Sequence, residues 1–314
     1  MSKLLVDESE SSLKKYLATL PTVDQVGAHA RADSLATRSI KTTSKSWAID
    51  MAIRMVDLTT LEGADTPGKV QALCSKAVRP DPTDSSVPHV GAVCVYNDMV
   101  GVARKHLDAI GGEDIPVAAV ATAFPSGRAS YAVKERDTKD ALEAGATEID
   151  MVIDRGAFLA GKLGSVYDEI KKIKALCGTK AHLKVIFETG ELVTLDNVRK
   201  ASYLAMLAGA DFIKTSTGKI APAATPPVVL VMLEAVRDFY SLTGTRIGVK
   251  PAGGIRTTKD AIKQLVLVNE IAGEEWLTPE LFRIGASALL NDLLLQRMKM
   301  RDGHYAGSSY VTLD

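Results

Sequence analysis

Cysteine is scarce in this chain of 314 residues, and its three cysteines, Cys74, Cys94 and Cys177, include no CxxC pair. A sparse, odd set of cysteines argues against a disulfide framework. The chain also lacks an excess of charge, because 38 basic residues balance 38 acidic ones. This balance argues against the electrostatic footprint of a protein that binds nucleic acid or a membrane surface. We therefore expect no nucleic-acid partner and no membrane partner.

Long apolar runs are missing as well. The longest, around residues 115–124, is far too short to cross a bilayer. The N-terminal stretch MSKLLVDESESSLKK does not resemble a signal peptide, and no N-x-[ST] sequon occurs. Together these absences predict a reducing, cytoplasmic setting.

Several familiar catalytic motifs are absent. The sequence contains neither HExxH nor GxSxG, and no GxGxxG fingerprint follows a predicted strand. Its five histidines are scattered and form no cluster with metal-ligand spacing: His29, His89, His106, His182 and His304. We therefore expect no metal.

Short β-prone apolar runs alternate with longer amphipathic stretches after residue 46, a pattern typical of βαβ units and a parallel sheet. Eight such units predict an α/β fold of the TIM-barrel type, which needs ~250 residues. The runs are RMVDL (54–58), VGAVCVY (90–96), VAAVATAF (117–124), EIDMVI (148–153), LKVIFE (183–188), DFIKT (211–215), IGVKP (247–251) and FRIGA (282–286). We predict a helical N-terminal extension over 1–50, a catalytic barrel over 51–298 and a C-terminal tail over 299–314.

Lysines occur inside two neighbouring predicted strands, although a buried ammonium is costly to desolvate. Lys214 and Lys250 lie near the C-terminal ends of the sixth and seventh strands, the end that carries the active site in barrels. Burial and a neighbouring cation both lower a lysine pKa, so one amine could serve as a nucleophile with the other as its electrostatic partner. The alternative is that both are core lysines held in salt bridges. Lys184 could also face inward, where an ion pair is at least as good an interpretation as catalysis.

Two aspartates at strand ends are candidates for acid–base work. Asp150 lies between the apolar residues Ile149 and Met151, so strand alternation turns it to the opposite face. It could transfer protons or hold a lysine and a water in place. Asp57 occupies a similar place at the end of the first strand. Loop or helix capping remains the alternative for both, and Glu148 and Asp154 share the face of Asp150.

Glycine-containing turns follow the last three predicted strands. Glycine lets backbone N–H groups approach an anion closely, and helix N-termini add a favourable dipole. Barrels commonly bind phosphate after strands seven and eight. The candidate phosphate-binding residues are Gly218, Lys219, Gly253, Gly254, Arg256, Gly285 and Ser287. The stretch TSTGK is not a P-loop, because Ile213 replaces the earlier glycine and Ile220 the required Ser or Thr.

The order and spacing of six motifs resemble those of the deoxyribose-phosphate aldolase family over residues 50–310. They are DLTTL (57–61), ATEIDMVI (146–153), LKVIFETGEL (183–192), DFIKTSTGK (211–219), VKPAGGIR (249–256) and FRIGAS (282–287). The N-terminal extension and the DLTTL variant resemble the larger, eukaryotic-type branch of this family.

This resemblance implies a cofactor-free class I aldolase that reversibly cleaves 2-deoxy-D-ribose 5-phosphate to D-glyceraldehyde 3-phosphate and acetaldehyde. It implies that Lys214 forms the Schiff base, that Lys250 perturbs it, and that Asp150 relays protons. The family's mobile tail ends in a tyrosine implicated in proton transfer, which Tyr310 matches within SSY (308–310), with Tyr305 as the rival. A small-molecule phosphosugar substrate and a homo-oligomer, with a dimer favoured, also follow from the resemblance.

Two other functions fit parts of the pattern. One is another Schiff-base barrel aldolase, either of transaldolase type or specific for a different phosphorylated aldehyde. The other is a non-catalytic phosphosugar-binding or scaffold protein that kept the barrel, since this fold hosts many activities. Loss of Lys214 or Lys250 would favour the scaffold, and both lysines are present.

Overall fold

A computed structural model describes residues 8–307 and 310–312 of the chain. The first seven residues of the predicted extension, the two serines of the SSY match and the last two residues of the chain lie outside the described residues. Each of the eight predicted runs overlaps one strand, although the first strand extends one residue beyond its run and the fifth begins one residue before its run. The strands are β1 (Val56–Thr59), β2 (Ala92–Tyr96), β3 (Val117–Ala121), β4 (Glu148–Val152), β5 (His182–Ile186), β6 (Phe212–Lys214), β7 (Gly248–Lys250) and β8 (Ile284–Ala286).

The strands form one parallel sheet in the order β7-β6-β5-β4-β3-β2-β1-β8. Two isolated parallel bridges, Val249 with Phe282 and Ala252 with Gly285, join β7 to the segment that contains β8. The sheet is thus a nearly closed barrel with helices between its strands, and the prediction of a TIM barrel is confirmed.

Helices surround the barrel and precede it. They are α1 (Glu10–Ala18), α2 (Gln25–Ala36), α3 (Thr42–Met55), α4 (Pro67–Val78), α5 (Val100–Ala109), α6 (Tyr131–Glu143), α7 (Arg155–Leu159), α8 (Leu163–Cys177), α9 (Leu195–Leu207), α10 (Pro226–Thr243), α11 (Thr258–Ile271) and α12 (Leu289–Asp302). Short 3₁₀ turns lie at Asn97–Met99, Thr189–Glu191 and Glu274–Trp276.

Local sequence explains where several of these helices begin. Helix α11 starts with a capping box, in which the Thr257 side chain accepts from the Asp260 backbone N–H and Asp260 accepts in return. Proline opens α4 and α10, where its missing N–H costs no hydrogen bond. These boundaries set the length of the loops that lead from the strand ends into the helices.

The first three helices pack against the outer helical layer. Helix α1 contacts α8 and α9, α2 contacts α10 and α11, and α3 contacts α11 and α12. Leucines and small residues of α1 and α2, among them Leu13 and Ala32, are fully buried in these contacts. Helix α3 crosses residue 50 and leads directly into β1 at Val56, so the extension and the barrel are continuous.

The strands separate two kinds of interior. Apolar side chains between the sheet and the helices form the main core, and Leu61, Cys94, Ala118 and Val120 form a small apolar cluster of their own. Below the loops, charged side chains from several strands are completely buried. Within the described ranges, we found no helix with the length and apolar character needed to cross a membrane.

Candidate active site

Two buried lysines end neighbouring strands. Lys214 is the last residue of β6 and Lys250 the last residue of β7, and their Cα atoms are register partners. The residues that precede them, Ile213 and Val249, belong to the main core between sheet and helices. Since side chains alternate along a strand, both lysines point into the barrel, at the end where barrel active sites lie.

Asp150 links the two amines. Its Oδ2 atom lies 2.8 Å from Lys214 Nζ and 2.7 Å from Lys250 Nζ, so both side-chain nitrogens meet at one oxygen. The other oxygen, Oδ1, accepts from Lys184 Nζ at 3.1 Å. Asp150 is completely buried. The two lysines and the aspartate that the sequence singled out are therefore in direct contact.

Asp57 lies on the far side of Lys250. Its Oδ2 atom is 2.5 Å from Lys250 Nζ, in an ion pair whose direction does not meet the geometry of a hydrogen bond. Its Oδ1 atom accepts from Arg283 Nη1 at 2.7 Å. Asp57 is completely buried and does not line the pocket described below, so its contact with the reacting region runs through Lys250.

A second pair of charges completes what we call the barrel network. Glu148 accepts from Lys184 Nζ, and its other oxygen lies 3.3 Å from Arg283 Nη2. The network comprises Asp57, Glu148, Asp150, Lys184, Lys214, Lys250 and Arg283. Every carboxylate in it has at least two cationic neighbours, which offsets the cost of burying the charges.

The protonation states of this network follow from opposing effects. Burial favours the neutral form of Asp150, but Lys184, Lys214 and Lys250 outweigh it and hold the pKa of Asp150 well below its usual range. Burial likewise opposes the charged form of Lys250, but Asp150 and Asp57 outweigh it and raise the pKa of Lys250 well above normal. Lys250 is thus a fixed cation next to Lys214.

The pKa values of the outer members shift in the same sense. For Asp57, the cost of burial is exceeded by attraction to Lys250 and Arg283, which lowers its pKa. For Lys184, burial is exceeded by Asp150 and Glu148, which raises its pKa. The pKa of Arg283 is raised against burial, chiefly by Asp57. These groups remain ionised around neutral pH.

An open pocket of about 640 Å³ covers the end of the barrel above the network. Lys214 lines it, whereas Lys250, Asp150 and Asp57 lie beneath its floor. The remaining lining residues come from the ends of β1 and β8, from the loops after β1, β6, β7 and β8, and from the first turns of α4 and α12: Thr59, Thr60, Leu61, Glu62, Lys69, Thr217, Gly218, Lys219, Ala252, Gly253, Gly254, Ile255, Arg256, Gly285, Ala286, Ser287, Ala288 and Asn291. We call this cavity the strand-end pocket.

All seven residues predicted to bind phosphate line this pocket. Gly218, Gly253 and Gly254 have φ angles of +81°, +83° and +87°, a conformation that glycine adopts without strain. A Cβ atom on Gly253 would lie 2.7 Å from the Ala223 Cβ atom, so the loop is also tightly packed there. The N-terminus of α12 follows Ser287 and Ala288 and presents unpaired N–H groups to the same space.

Charge at the pocket mouth comes from two lysines that are paired with carboxylates. Lys219 Nζ lies 2.8 Å from Glu62 Oε1, and Lys69 Nζ lies 2.7 Å from Asp65 Oδ1. Arg256 is exposed at the rim. Lys69 reaches the pocket from α4, and sequence analysis missed it because a lysine on a surface helix carries no distinctive signal.

Two further residues were missed in the sequence. Arg283 precedes β8 and is buried, which the reasoning applied to lysines inside strands could have detected. Glu188 is completely buried with φ +56°, and its carboxylate accepts from the Thr217 N–H at 3.3 Å and from the Thr217 hydroxyl. Glu188 thereby anchors the loop that carries Gly218 and Lys219, and its non-glycine positive φ had no sequence signal.

Tyr310 lies away from the strand-end pocket. Its side chain is 73% exposed and borders a separate cavity of about 940 Å³, together with Tyr305 and Arg79. The following segment returns towards the pocket, because Thr312 O accepts from Asn291 Nδ2 at 3.2 Å. In this conformation neither tyrosine lines the pocket that contains Lys214.

Comparisons with known proteins bear on this site. Residues 51–294 match the model of the DeoC/LacD family aldolases. The deoxyribose-phosphate aldolase of Homo sapiens is 48% identical over 287 residues, which cover 88% of this chain and 89% of that protein. The mouse protein of the same name, from Mus musculus, is 49% identical over 86% of this chain and 87% of its own length.

Solved structures agree with this relationship. One from Coccidioides immitis, provisionally named as a deoxyribose-phosphate aldolase, superposes with a TM-score of 0.65 at 28% identity and covers 87% of this chain and 99% of its own. One from Toxoplasma gondii, provisionally given the same name, has a TM-score of 0.71 at 25% identity over 80% and 95%. The resemblance seen in the sequence is confirmed: the chain belongs to the DeoC/LacD family of aldolases and is an aldehyde lyase.

Proposed function

We propose that the chain reversibly cleaves 2-deoxy-D-ribose 5-phosphate to D-glyceraldehyde 3-phosphate and acetaldehyde through a Schiff base on Lys214. The observation that carries this proposal is the contact of Lys214 and Lys250 with the same oxygen of Asp150, with Lys214 alone of the three open to the pocket. Family membership supports aldol chemistry, and the names of the relatives supply the substrate.

A Schiff base requires a neutral amine, whereas an ordinary lysine with pKa ~10.4 is almost wholly protonated near neutrality. The fixed positive charge of Lys250 beside Lys214 disfavours a second ammonium there. Asp150 opposes this effect but divides its Oδ2 atom between the two amines. The arrangement therefore supports Lys214 as the nucleophile and Lys250 as the cation that keeps it reactive.

The covalent steps follow from the two products. Lys214 Nζ attacks the C1 aldehyde of the open-chain sugar, and the carbinolamine loses water to give an iminium. The C2–C3 bond then breaks, because the fragments have two and three carbons, and its electron pair moves into the iminium to form an enamine. The 3-hydroxyl loses its proton and becomes the aldehyde of glyceraldehyde 3-phosphate. Protonation at C2 and hydrolysis then release acetaldehyde and free the lysine.

Protons must move in most of these steps, and the groups nearest the Lys214 amine are the candidates for assisting these transfers. Asp150 and Lys250 lie beside the Lys214 amine, where they would orient a bound water that exchanges protons with the carbinolamine, the 3-hydroxyl and the enamine. Asp57 would act through Lys250 by holding its ammonium in place. Tyr310 would contribute only after the tail moves from its exposed position to the pocket mouth.

The phosphate group would lie at the loop side of the strand-end pocket. Backbone N–H groups at left-handed glycines and the N-terminus of α12 favour an anion there. Binding energy from this remote group orients C1 towards Lys214. The residues proposed to hold the phosphate are Gly218, Lys219, Gly253, Gly254, Arg256, Gly285 and Ser287.

Several broader expectations belong to the same proposal. We assign catalysis to residues 51–298, and we expect a cytoplasmic homo-oligomer, with a dimer favoured, that acts in deoxyribose phosphate catabolism. Neither a metal nor an organic cofactor is required by the steps above, since the iminium formed on the lysine is the electron sink.

A substrate panel tests the proposal. The purified chain should release glyceraldehyde 3-phosphate from 2-deoxyribose 5-phosphate, measured by a coupled reduction, and the rate should not change after EDTA treatment. Fructose 6-phosphate with an aldehyde acceptor, as for a transaldolase, should give a much lower rate. Preference for the transaldolase substrates, loss of activity with EDTA, or no turnover of any phosphosugar would contradict it.

A further inference from the structure

The barrel network contains one more cation than it has carboxylates. Its four cationic side chains are Lys184, Lys214, Lys250 and Arg283, and its three carboxylates are Asp57, Glu148 and Asp150. None of these residues is more than 6% exposed. An uncompensated charge is costly at such depth, so the network is neutral only when one of its lysines has released a proton.

The position of the surplus charge follows from the contacts. Lys184 touches carboxylate oxygens of Glu148 and Asp150, and Lys250 touches those of Asp57 and Asp150. Lys214 has a single carboxylate contact, to the oxygen that it shares with Lys250. Lys214 also borders the open pocket, where a proton can leave to solvent. Lys214 is therefore the lysine with the least compensation by carboxylates and the one best placed to release its proton.

We propose that Arg283 is a positioning residue for the aldolase reaction, because it supplies the fourth positive charge that keeps the Lys214 amine neutral. Arg283 makes no contact with Lys214 and lies at the base of the network, where Nη1 is 2.7 Å from Asp57 Oδ1 and Nη2 is 3.3 Å from Glu148 Oε1. A guanidinium cannot be deprotonated in proteins, so its charge is permanent. This inference rests on the proposed role of Lys214 as the nucleophile.

Arg283 acts through the carboxylates it holds. Because Arg283 donates to Asp57 Oδ1 and to one oxygen of Glu148, it compensates negative charge that would otherwise stabilise protonated lysines. Without it, three carboxylates would face three lysines, and all three lysines could stay protonated without net charge. The Lys214 amine would then stay protonated to a higher pH than in the wild type.

Two exposed charges nearby, Glu280 beside Arg283 and Arg256 at the pocket rim, are screened by solvent. The other charged or titratable groups around Lys214 do not change this balance. Those facing it from the surrounding elements are Asp57 on β1, Cys94 on β2, Glu148 and Asp150 on β4, Lys184 on β5, Lys250 on β7 and Arg283 before β8. Burial raises the pKa of Cys94, so its thiol is neutral. At the pocket mouth, Lys69 and Lys219 are each compensated by a carboxylate, Asp65 and Glu62.

Two substitutions should shift the pH profile of kcat/KM in opposite directions. Arg283→Gln removes the charge while leaving an amide that can donate to Asp57, and the acid limb of the pH profile of kcat/KM should move up. Glu148→Gln removes a negative charge and should move that limb down. A shift of about one pH unit is the size expected for one unit charge at roughly 10 Å in a medium of effective dielectric constant about 20. The kcat/KM profile reports the free enzyme.

Arg283→Lys is the matched control, because it keeps the charge and should leave the limb within about 0.3 units of the wild type. Thermal unfolding at each pH shows which variants are folded. If only one of Arg283→Gln and Glu148→Gln folds, the direction of its shift still tests the proposal, because each substitution has its own predicted sign. A uniform rate loss at all pH values, or shifts of the same sign, would show that Arg283 is merely structural. If the wild type itself fails to cleave deoxyribose 5-phosphate, the proposed function fails instead.

Discussion

Replacing Lys250 by methionine removes the cation closest to the proposed nucleophile while keeping most of the side-chain volume. Lys250 is completely buried, with its Nζ atom 2.7 Å from Asp150 Oδ2 and 2.5 Å from Asp57 Oδ2. In the variant, Lys184, Lys214 and Arg283 face three carboxylates, so the charge balance no longer favours a neutral amine on Lys214. The amine loses its reactivity although its position is unchanged.

The expected loss of rate can be estimated from the ordinary behaviour of lysine. A lysine with a pKa of ~10.4 is neutral in only about one molecule in a thousand at pH 7.5. We therefore expect kcat/KM for deoxyribose 5-phosphate cleavage to fall about 10³-fold, equivalent to about 4 kcal/mol of activation free energy. The residual rate should rise about tenfold per pH unit up to about pH 10.

Loss of stability must be separated from loss of chemistry. Removing one partner of a buried ion pair costs up to about 3–5 kcal/mol, although Asp57 keeps Arg283 and Asp150 keeps two lysines. Lys134 provides a matched control, because it is 1% exposed and its Nζ atom lies 2.8 Å from both oxygens of Glu169, on a helix outside the barrel. Lys134→Met should lower the unfolding free energy while leaving kcat/KM nearly unchanged.

The assay is the coupled release of glyceraldehyde 3-phosphate from pH 6 to about pH 10, with urea unfolding of each variant. If folded Lys250→Met keeps more than about a tenth of the wild-type rate at pH 7.5, the Lys250 cation is not what keeps the Lys214 amine reactive. A rate loss that is independent of pH would show that Lys250 acts only by transferring protons.

Three further predictions concern the pocket, the network and the tail. Lys219→Met should raise KM for the phosphorylated substrate about tenfold or more and leave cleavage of unphosphorylated deoxyribose unchanged; equal effects on both would remove Lys219 from the phosphate site. The unfolding free energy from urea titrations should decrease as the pH falls below about 4, because the lowered pKa of Asp150 contributes its full stability only above the pKa of the unfolded carboxyl group. It should also decrease as the pH rises above about 10.4, because the raised pKa of Lys250 contributes its full stability only below the pKa of the unfolded amine. A level profile across either range would contradict the assigned ion pairs. Tyr310→Phe should lower kcat at least about tenfold if the tail delivers the phenol to the enamine, and an unchanged kcat would confine Tyr310 to its exposed position.

Strand periodicity and buried lysines made much of this fold accessible from the sequence. All eight apolar runs overlap strands, because parallel strands of a barrel must be apolar on the side that packs against the helices. Lysines at two adjacent strand ends stand out for the same reason, because a charged side chain is almost never fully buried unless it is paired. Asp150 could be oriented by alternation alone.

The ion-pair partners within the barrel network could not be predicted from the sequence in this way. Contacts between Arg283, Asp57 and Glu148 join segments 135 and 226 residues apart, and a charge balance is visible only when every strand end is in place. The left-handed conformation of Glu188 also had no local signal, because only its tertiary contact with Thr217 stabilises it. The position of Tyr310 depends on how the tail packs, which no periodic pattern encodes.

Trapping the covalent intermediate tests the central claim most directly. The folded chain is incubated with acetaldehyde and sodium borohydride, digested and mapped by mass spectrometry. We expect a two-carbon ethyl adduct at Lys214, with no adduct at Lys184, Lys250 or Lys219. An adduct at Lys250 instead, or full trapping of a Lys214→Met variant, would contradict the assignment of Lys214 as the Schiff-base lysine.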